Sequence, residues 1–575
     1  MYSLEKIKLN IAKLVNKSLN KKIIQTSDLI YPPNPEFGDL SLPCFELAKK
    51  LNKTAVETAE FLVSEINVND IIVSAKAIGP YLNFTINKNY LAGDLIGDIL
   101  SMAEEYGANK SGKGKKVMIE YSNVNTHKEY HVGHLRNICY GGAVAKILSA
   151  NGFKSIPVSY INDFGIHVAK TLWRYAEHYK NNKIAKGKNK GGFLGELYAK
   201  ASRELKDNPT AKERVSSLMK KIESRQGAEY KLWQKTRKWS IDYFDKIYKE
   251  LRVEFDNIFY ESEFIEKGMK MVRDLCKKEF LIKSQGAIIA DLEKYNLGVL
   301  LFLRSDNTAL YPVADLPLAV EKFKKYKIDK SIYVVDVRQG LYFKQLFKVL
   351  ELLGFKQEMA HLGYEFVKLP GKMMSSRTGD IITYENLRAQ AVKKAARESK
   401  KRHKDWSAKK ITDTVNKIVN GALKFEMIKV SAGQVITFDI NQALRFDGFT
   451  AAYLQYVYAR IQSIFRKTQK HKNTKTQKHK EIDFNNLKNI KEHDLVMKMA
   501  RYPDAVKKAG ENCDPSEIAK YLFDLASGFN DYYHSVPILK AKKELRASRL
   551  ALIKSVSHVI ANGLGLLGIE VVDEM

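Results

Sequence analysis

Cysteine is scarce in this sequence: Cys44, Cys139, Cys276 and Cys513 stand far apart, with no Cys-x-x-Cys pair. That scarcity argues against a disulfide framework and a cysteine-based zinc site, and it fits a reducing compartment. Long hydrophobic runs are missing as well. No stretch reaches the roughly 18 consecutive apolar residues that read as a membrane span, and the N-terminal MYSLEKIKLNIAKLV carries charges at helical spacing instead of an uninterrupted apolar core. The expectation is a cytoplasmic protein, neither secreted nor membrane-spanning. Acidic residues are outnumbered, 65 against 96 Lys and Arg, which gives a formal net charge of +31. A field of that sign attracts polyanions, so nucleic acid leads as a partner; the alternative is a lysine-rich surface that is only solvated.

What the sequence does contain is a globular balance of 45% hydrophobic and 28% charged residues over 575 positions. That length calls for roughly two to four domains. Residues 1–112 read as an α+β domain, with a turn at Tyr31-Pro32-Pro33-Asn34-Pro35 and a strand-like GPYLNFTIN, closed by the loop NKSGKGKK. Then KVMIEYS reads as a strand, HVGHLRNICYGGAVAKILSANG as a helix and KSIPVSYIND as a strand again. This β-α-β order implies an α/β domain with a Rossmann-like parallel sheet, over 113–385, interrupted by a charged helical insertion at about 171–284. The remainder reads as helical, a connecting region at 386–445 and an all-α domain at 446–575. Two lysine-rich segments, near residue 185 and at 467–480, read as exposed loops and carry no assigned site.

Two constellations carry chemistry. In EYSNVNTHKEYHVGHLRN, His131 and His134 fall where the first strand turns into a helix, whose N-terminal amides can face phosphate. Imidazole donors there can stabilise charge developing on phosphate oxygens, and Gly133 between them lets a nucleotide approach the backbone. A metal reading of His127, His131 and His134 stands behind this one, because no cysteine or carboxylate at zinc-like spacing completes the set. In KLPGKMMSSRTGD, residues 368–380, Ser375 and Ser376 offer hydroxyls while Lys372 and Arg377 supply positive charge. An ordinary basic surface loop is the alternative, and the pairing with the histidine motif weakens it.

With these motifs the chain resembles a class I aminoacyl-tRNA synthetase, HVGH being the first signature and MMSSR a divergent form of the second, KMSKS. Within that class it is similar to the arginyl-tRNA synthetases. The block E-x-S-x-x-N-x-x-K-x-x-HVGHLR, then INDFG, SQGA, YPVADL, VVDVRQ and FDGFTAAYLQYVYAR occur in that family's order. PEFGDLSLPCFELAK and GPYLNF resemble its N-terminal tRNA-contacting domain, and the C-terminal helices its anticodon-binding domain.

The resemblance implies ATP-dependent activation of L-arginine and its transfer to the terminal adenosine of tRNA(Arg), with Mg2+ accompanying ATP, no structural metal and a monomeric protein. It implies arginine binding by Glu120, Asn123, Asn125, Tyr311, Asp315 and Gln339. Carboxylates and a hydroxyl at fixed angles suit a planar guanidinium with five donors. It places Lys372, Met374 and Ser375 beside ATP with His131, Gly133 and His134, and gives Ser375, Ser376 and Arg377 catalytic roles. Aligned on Ser375, the KMSKS lysine positions fall on Met373 and Ser376. Lys128, just before the histidine motif, is therefore the expected triphosphate cation. For tRNA, the aromatic helix offers Tyr453, Gln455, Tyr458 and Arg460; some of its tyrosines are expected in the core, with Gln455 or Arg460 facing RNA. Two rivals remain at this point: another enzyme of the same superfamily, and a non-catalytic tRNA-binding homologue.

Overall fold

The computed structural model describes residues 1–179, 189–368, 370, 383–470 and 482–575. Its centre is a five-stranded, wholly parallel sheet. With strands numbered along the chain, the N-terminal domain contributes β1 (Leu40–Pro43), β2 (Ile72–Ile78) and β3 (Tyr81–Ile86), an antiparallel sheet of order β1-β3-β2. The central sheet is built from β4 (Lys116–Glu120), β5 (Lys154–Ile161), β6 (Asn257–Tyr260), β10 (Lys330–Asp336) and β11 (Glu358–Tyr364), in the order β11-β10-β4-β5-β6. Between β6 and β10 lies a small antiparallel sheet of β7 (Ile282–Ser284), β8 (Ala287–Asp291) and β9 (Val299–Leu303). A short parallel pair, β12 (Val367–Lys368) with β13 (Ile436–Thr437), joins the end of the catalytic domain to the connecting helices.

The sequence explains the parallel arrangement. Val117, Met118, Ile119 and Glu120 of β4 are all buried, the near-continuous burial of a strand covered on both faces. Helix Val132–Ala150, the crossover from β4 to β5, is buried on nearly every side, and one hydrophobic core runs from the N-terminal domain past this helix into the C-terminal helices. A second core on the other side of the sheet joins Met118 and Val158 to helix Tyr311–Tyr326.

Strand order reverses between β4 and β10, so a crevice opens at their carboxyl ends, the place where ligands enter open α/β sheets. Four helices, Ile166–Tyr179, Lys190–Glu204, Pro209–Glu223 and Gly227–Leu251, are inserted between β5 and β6. After β13 the described residues are helical. Among the described residues no helix is long and apolar enough to cross a membrane, and all four cysteines are free.

Candidate active site

The crevice is lined by the segments that leave the carboxyl ends of the strands. After β4 the chain runs through a tight loop in which Ser122 and His127 adopt left-handed φ of 58° and 60°, a costly conformation that persists where its surroundings enforce it. Here they do: Ser122 Oγ donates to the Tyr248 hydroxyl at 3.0 Å, and its carbonyl accepts from Ser159 Oγ at 2.9 Å. His127 is fully buried, with ring nitrogens 2.9 Å from Thr126 Oγ1 and 2.9 Å from Thr236 Oγ1. It locks the loop to the insertion. Among the described residues no group of three or more His, Cys, Asp or Glu is arranged to hold a metal ion.

His131 is the N-cap of helix Val132–Ala150. Its Nδ1 accepts the Gly133 N–H at 3.1 Å, and His134 Nδ1 accepts the His131 N–H at 3.3 Å. With both Nδ1 atoms accepting, each neutral ring carries its proton on Nε2. Burial, with Lys128 adding to it, pushes the His131 imidazole down to about 4; burial, His131 and Lys128 push His134 well below the ordinary imidazole range. Two neutral Nε2–H donors, their rings stacked 3.7 Å apart, thus stand at a helix N-terminus. A Cβ at Gly133 would meet His131 Cε1 at 3.0 Å, so glycine keeps this cap compact. Lys128 lies over the Tyr198 ring at 5.0 Å, and burial together with Lys170 lowers its amine to about 8.

The opposite end of the crevice is acidic. Tyr311 and Asp315 share one face of helix Tyr311–Tyr326, four residues apart. Asp315 Oδ2 accepts from the Tyr342 hydroxyl, while its Oδ1 is sealed from solvent with no well-formed hydrogen bond among the described residues, and the Tyr160 hydroxyl, likewise sealed, faces the carboxyl. Burial, with the Glu120 charge added, raises the Asp315 carboxyl to about 7. Glu261, directly after β6, is raised to about 8 by burial and by Asp315 and Asp163, against a hydrogen bond from the Asn162 amide. Tyr311 is 61% exposed at the mouth, within the field of both carboxyls. Asn125 is half-buried beside Asn162, and Gln339 is exposed after β10.

Other residues brace the crevice from below and from behind. Glu120 forms an ion pair with Lys322, whose side chain is fully buried, and its other oxygen accepts from Asn123 Nδ2 at 2.9 Å. Lys322 and Asn123 thus brace Glu120 on the pocket floor, each holding one of its oxygens, and each oxygen keeps a further lone pair. Sequence reasoning does not single out Glu261 and Lys322. The available signals were an acid at the carboxyl end of a parallel strand, and a lysine seven residues beyond Asp315 on the same helical face. Arg136, within HVGHLR but with no role assigned from sequence, is fully buried. It donates to the carbonyls of Glu365, Gln434 at 2.9 Å, Ala432 at 3.1 Å and Ser431 at 3.3 Å, tying the histidine helix to the chain before β12 and β13. Lys372, Met374, Ser375, Ser376 and Arg377 lie outside the described residues. The described chain resumes at Thr383, which bridges to His131.

On helix Ala451–Lys470, Gln455 is fully buried and donates to the carbonyls of Glu570 at 2.7 Å and Lys417 at 3.3 Å, so it does not face RNA. The Tyr453 ring packs on Phe523 and its hydroxyl accepts from Asn530 Nδ2 at 2.8 Å, and Tyr458 is half-buried against the core. Arg460 stays partly exposed, between the Tyr456 and Tyr533 rings at 4.6 and 4.8 Å.

A parallel sheet with neutral histidine donors at its first crossover fits a class I aminoacyl-tRNA synthetase. Family comparison agrees: "tRNA synthetases class I (R), catalytic domain" matches residues 95–438, the DALR anticodon binding domain 454–575, and the arginyl-tRNA synthetase N-terminal domain 5–86. The arginine--tRNA ligase of Bdellovibrio bacteriovorus is 37% identical over 557 residues, covering 95% of this chain and 94% of its own. That of Clostridium acetobutylicum is 32% identical over 571 residues, covering 98% and 99%. Among solved structures, Thermus thermophilus arginyl-tRNA synthetase shares the fold, with a TM-score of 0.79 at 24% identity over 99% of this chain and 100% of its own. The chain belongs to the arginyl-tRNA synthetase family.

Proposed function

We propose that this crevice makes arginyl-adenylate from L-arginine and ATP and passes the arginyl group to tRNA(Arg). The arginine carboxylate attacks the α-phosphate of ATP and pyrophosphate leaves. The 2′-hydroxyl of the terminal adenosine then attacks the arginyl carbonyl, releasing AMP. The first step gathers negative charge on phosphate, and the Nε2–H donors of His131 and His134 meet it without carrying charge themselves. Lys128, which has no carboxylate partner among the described residues, takes the β- and γ-phosphates, and Mg2+ accompanying ATP would offset phosphate charge. Lys372, Met374, Ser375, Ser376 and Arg377 act on the same triphosphate.

Asp315 and Glu261 hold the guanidinium with the Tyr311 hydroxyl, and Asn125 and Gln339 take the α-ammonium and carboxylate. The observation that carries this reading is Asp315 Oδ1, a buried carboxylate oxygen with no well-formed hydrogen bond among the described residues. A group of that kind is costly unless a cationic donor completes it, and a guanidinium supplies a donor of matching geometry. Arg460 with Tyr456 and Tyr533 forms the tRNA-facing surface of the C-terminal helices, and the protein acts in the cytoplasm as a monomer.

Arginine-dependent exchange of pyrophosphate into ATP, with and without tRNA and with lysine as control, tests the assignment. Exchange with arginine and not lysine is expected. Exchange appearing only with tRNA would make the RNA part of the active site's assembly. Exchange with lysine, or none in either condition, would overturn the pocket.

A further inference from the structure

Away from the crevice, a cavity of 570 Å³ opens where the histidine helix, the chain at Arg252–Glu254 and the C-terminal turn Gly565–Gly568 meet. Lys146, on its wall, follows His134 by twelve residues, about 18 Å along the helix axis. The lysine end of the cavity therefore lies well away from His131 and His134, although Ile138 on its wall is one helical turn from His134.

Two lysines converge in it. Lys424 is 5% exposed, and its Nζ donates to the Gly568 carbonyl at 2.6 Å. Neither Lys424 nor Lys146 has an ion pair among the described residues. A Cβ at Gly568, whose φ is +69°, would stand 3.3 Å from Lys424 Nζ and 3.8 Å from Lys146 Cε, so both side chains close on that glycine. On β5, Ser155 Oγ is buried without a hydrogen-bond partner among the described residues, and Ser155 lines the same space. Arg252 at the mouth is already paired with Glu570, and the rim carries one acid, Glu254.

Burying an ammonium against a single carbonyl is costly, because a buried charge is normally paired. Burial, with Lys146 and Arg252 adding to it and Cys139 and Glu570 opposing, lowers the Lys424 amine to about 8. An anion would relieve it. The space is of the size that takes small ligands, and much of its wall is apolar. We propose that this cavity binds a small phosphate monoester, its phosphoryl oxygens held between Lys146 and Lys424 with the Ser155 hydroxyl as a third donor, and its body against Ile138, Val253 and Leu567. Lys424 lies too deep for an RNA backbone that carries a nucleotide on each side.

Pyridoxal 5′-phosphate is the probe, used on the full chain with saturating ATP to cover the catalytic crevice. Its phosphate occupies the anion site; its aldehyde condenses with a lysine amine, the C=N bond forming as water leaves, and borohydride reduces the imine to a stable amine that peptide mapping locates. Lys424 or Lys146 is expected to be marked at a concentration about tenfold below that marking other lysines, and phenyl phosphate is expected to suppress it. Lys146→Gln, at an exposed position, is expected to weaken marking of Lys424 and phenyl phosphate binding about tenfold, the effect of one ionic hydrogen bond, while arginine-dependent exchange stays unchanged. Marking spread evenly over exposed lysines, or unaffected by Lys146→Gln, overturns the proposal. So does protection of Lys424 by tRNA and not by phenyl phosphate, which would make the cavity an RNA contact.

Discussion

The two ends of the catalytic crevice carry opposite chemistry on one sheet. At the histidine end the donors are neutral, since burial keeps His131 and His134 unprotonated, and Lys128 brings positive charge. At the other end Asp315 and Glu261 are acids held above their ordinary range, next to a third, Glu120, that Lys322 has already neutralised. The difference teaches how a zwitterionic cation such as arginine is oriented. Its guanidinium is drawn to the acidic end, its own carboxylate is left toward the histidines, and the nucleophile and the α-phosphate meet between the two fields.

The comparison breaks most severely at Asp315. Asp315→Asn keeps the shape and removes the charge, and truncating one partner of a buried charged hydrogen bond costs about 3–5 kcal/mol, roughly 10²–10⁴-fold in kcat/KM for arginine. Arginine-dependent exchange is the measurement, with tRNA affinity expected to stay near that of the parent protein; exchange at the parent rate would remove Asp315 from the pocket. The histidine end gives a smaller loss of another kind. His134→Gln alters one preorganised donor, and loss of such a donor costs about 10²-fold in kcat. The KM for arginine is expected to stay unchanged, and a rise in that KM with kcat preserved would move His134 into substrate binding.

The same two ends show what a sequence reveals. The α/β class, the crossover helix and the histidine pair were legible because each is local: β4, its loop and His131–His134 lie within twenty contiguous residues, and strand and helix periodicities separate cleanly there. Tyr311 and Asp315 were singled out only through the family resemblance carried by YPVADL, and the helix sets them one turn apart. The Glu120–Lys322 pair was not, since its partners are 202 residues apart and only the β4–β10 adjacency brings them together. Glu261 was hidden in a charged stretch, where nothing local distinguishes a buried acid from a solvated one. Gln455 was misread because one helix's pattern cannot show how many neighbours cover it; carbonyls from Lys417 and Glu570, on other segments, claim its amide.

The finest test of the contrast is the pH dependence of arginine binding. In the free protein Asp315 titrates at about 7 and Glu261 at about 8, chiefly through burial. Both folded values lie above the ordinary carboxylate range, so ionising these groups opposes folding: the stability they contribute is full at acid pH and is lost as pH rises through about 7 and 8. A guanidinium reverses that sign, because it favours the ionised carboxylates and lowers both values. Arginine binding must then release protons near neutral pH and tighten as pH rises from 6 to 8, by at least about tenfold from one titrating carboxyl alone. Calorimetry in buffers of different ionisation enthalpy reads the protons directly, and Asp315→Asn is expected to remove part of the release. Arginine affinity that stays flat from pH 6 to 8 with no proton release would mean that both carboxyls are already ionised. The acidic end would then be a standing field, and not one completed by its substrate.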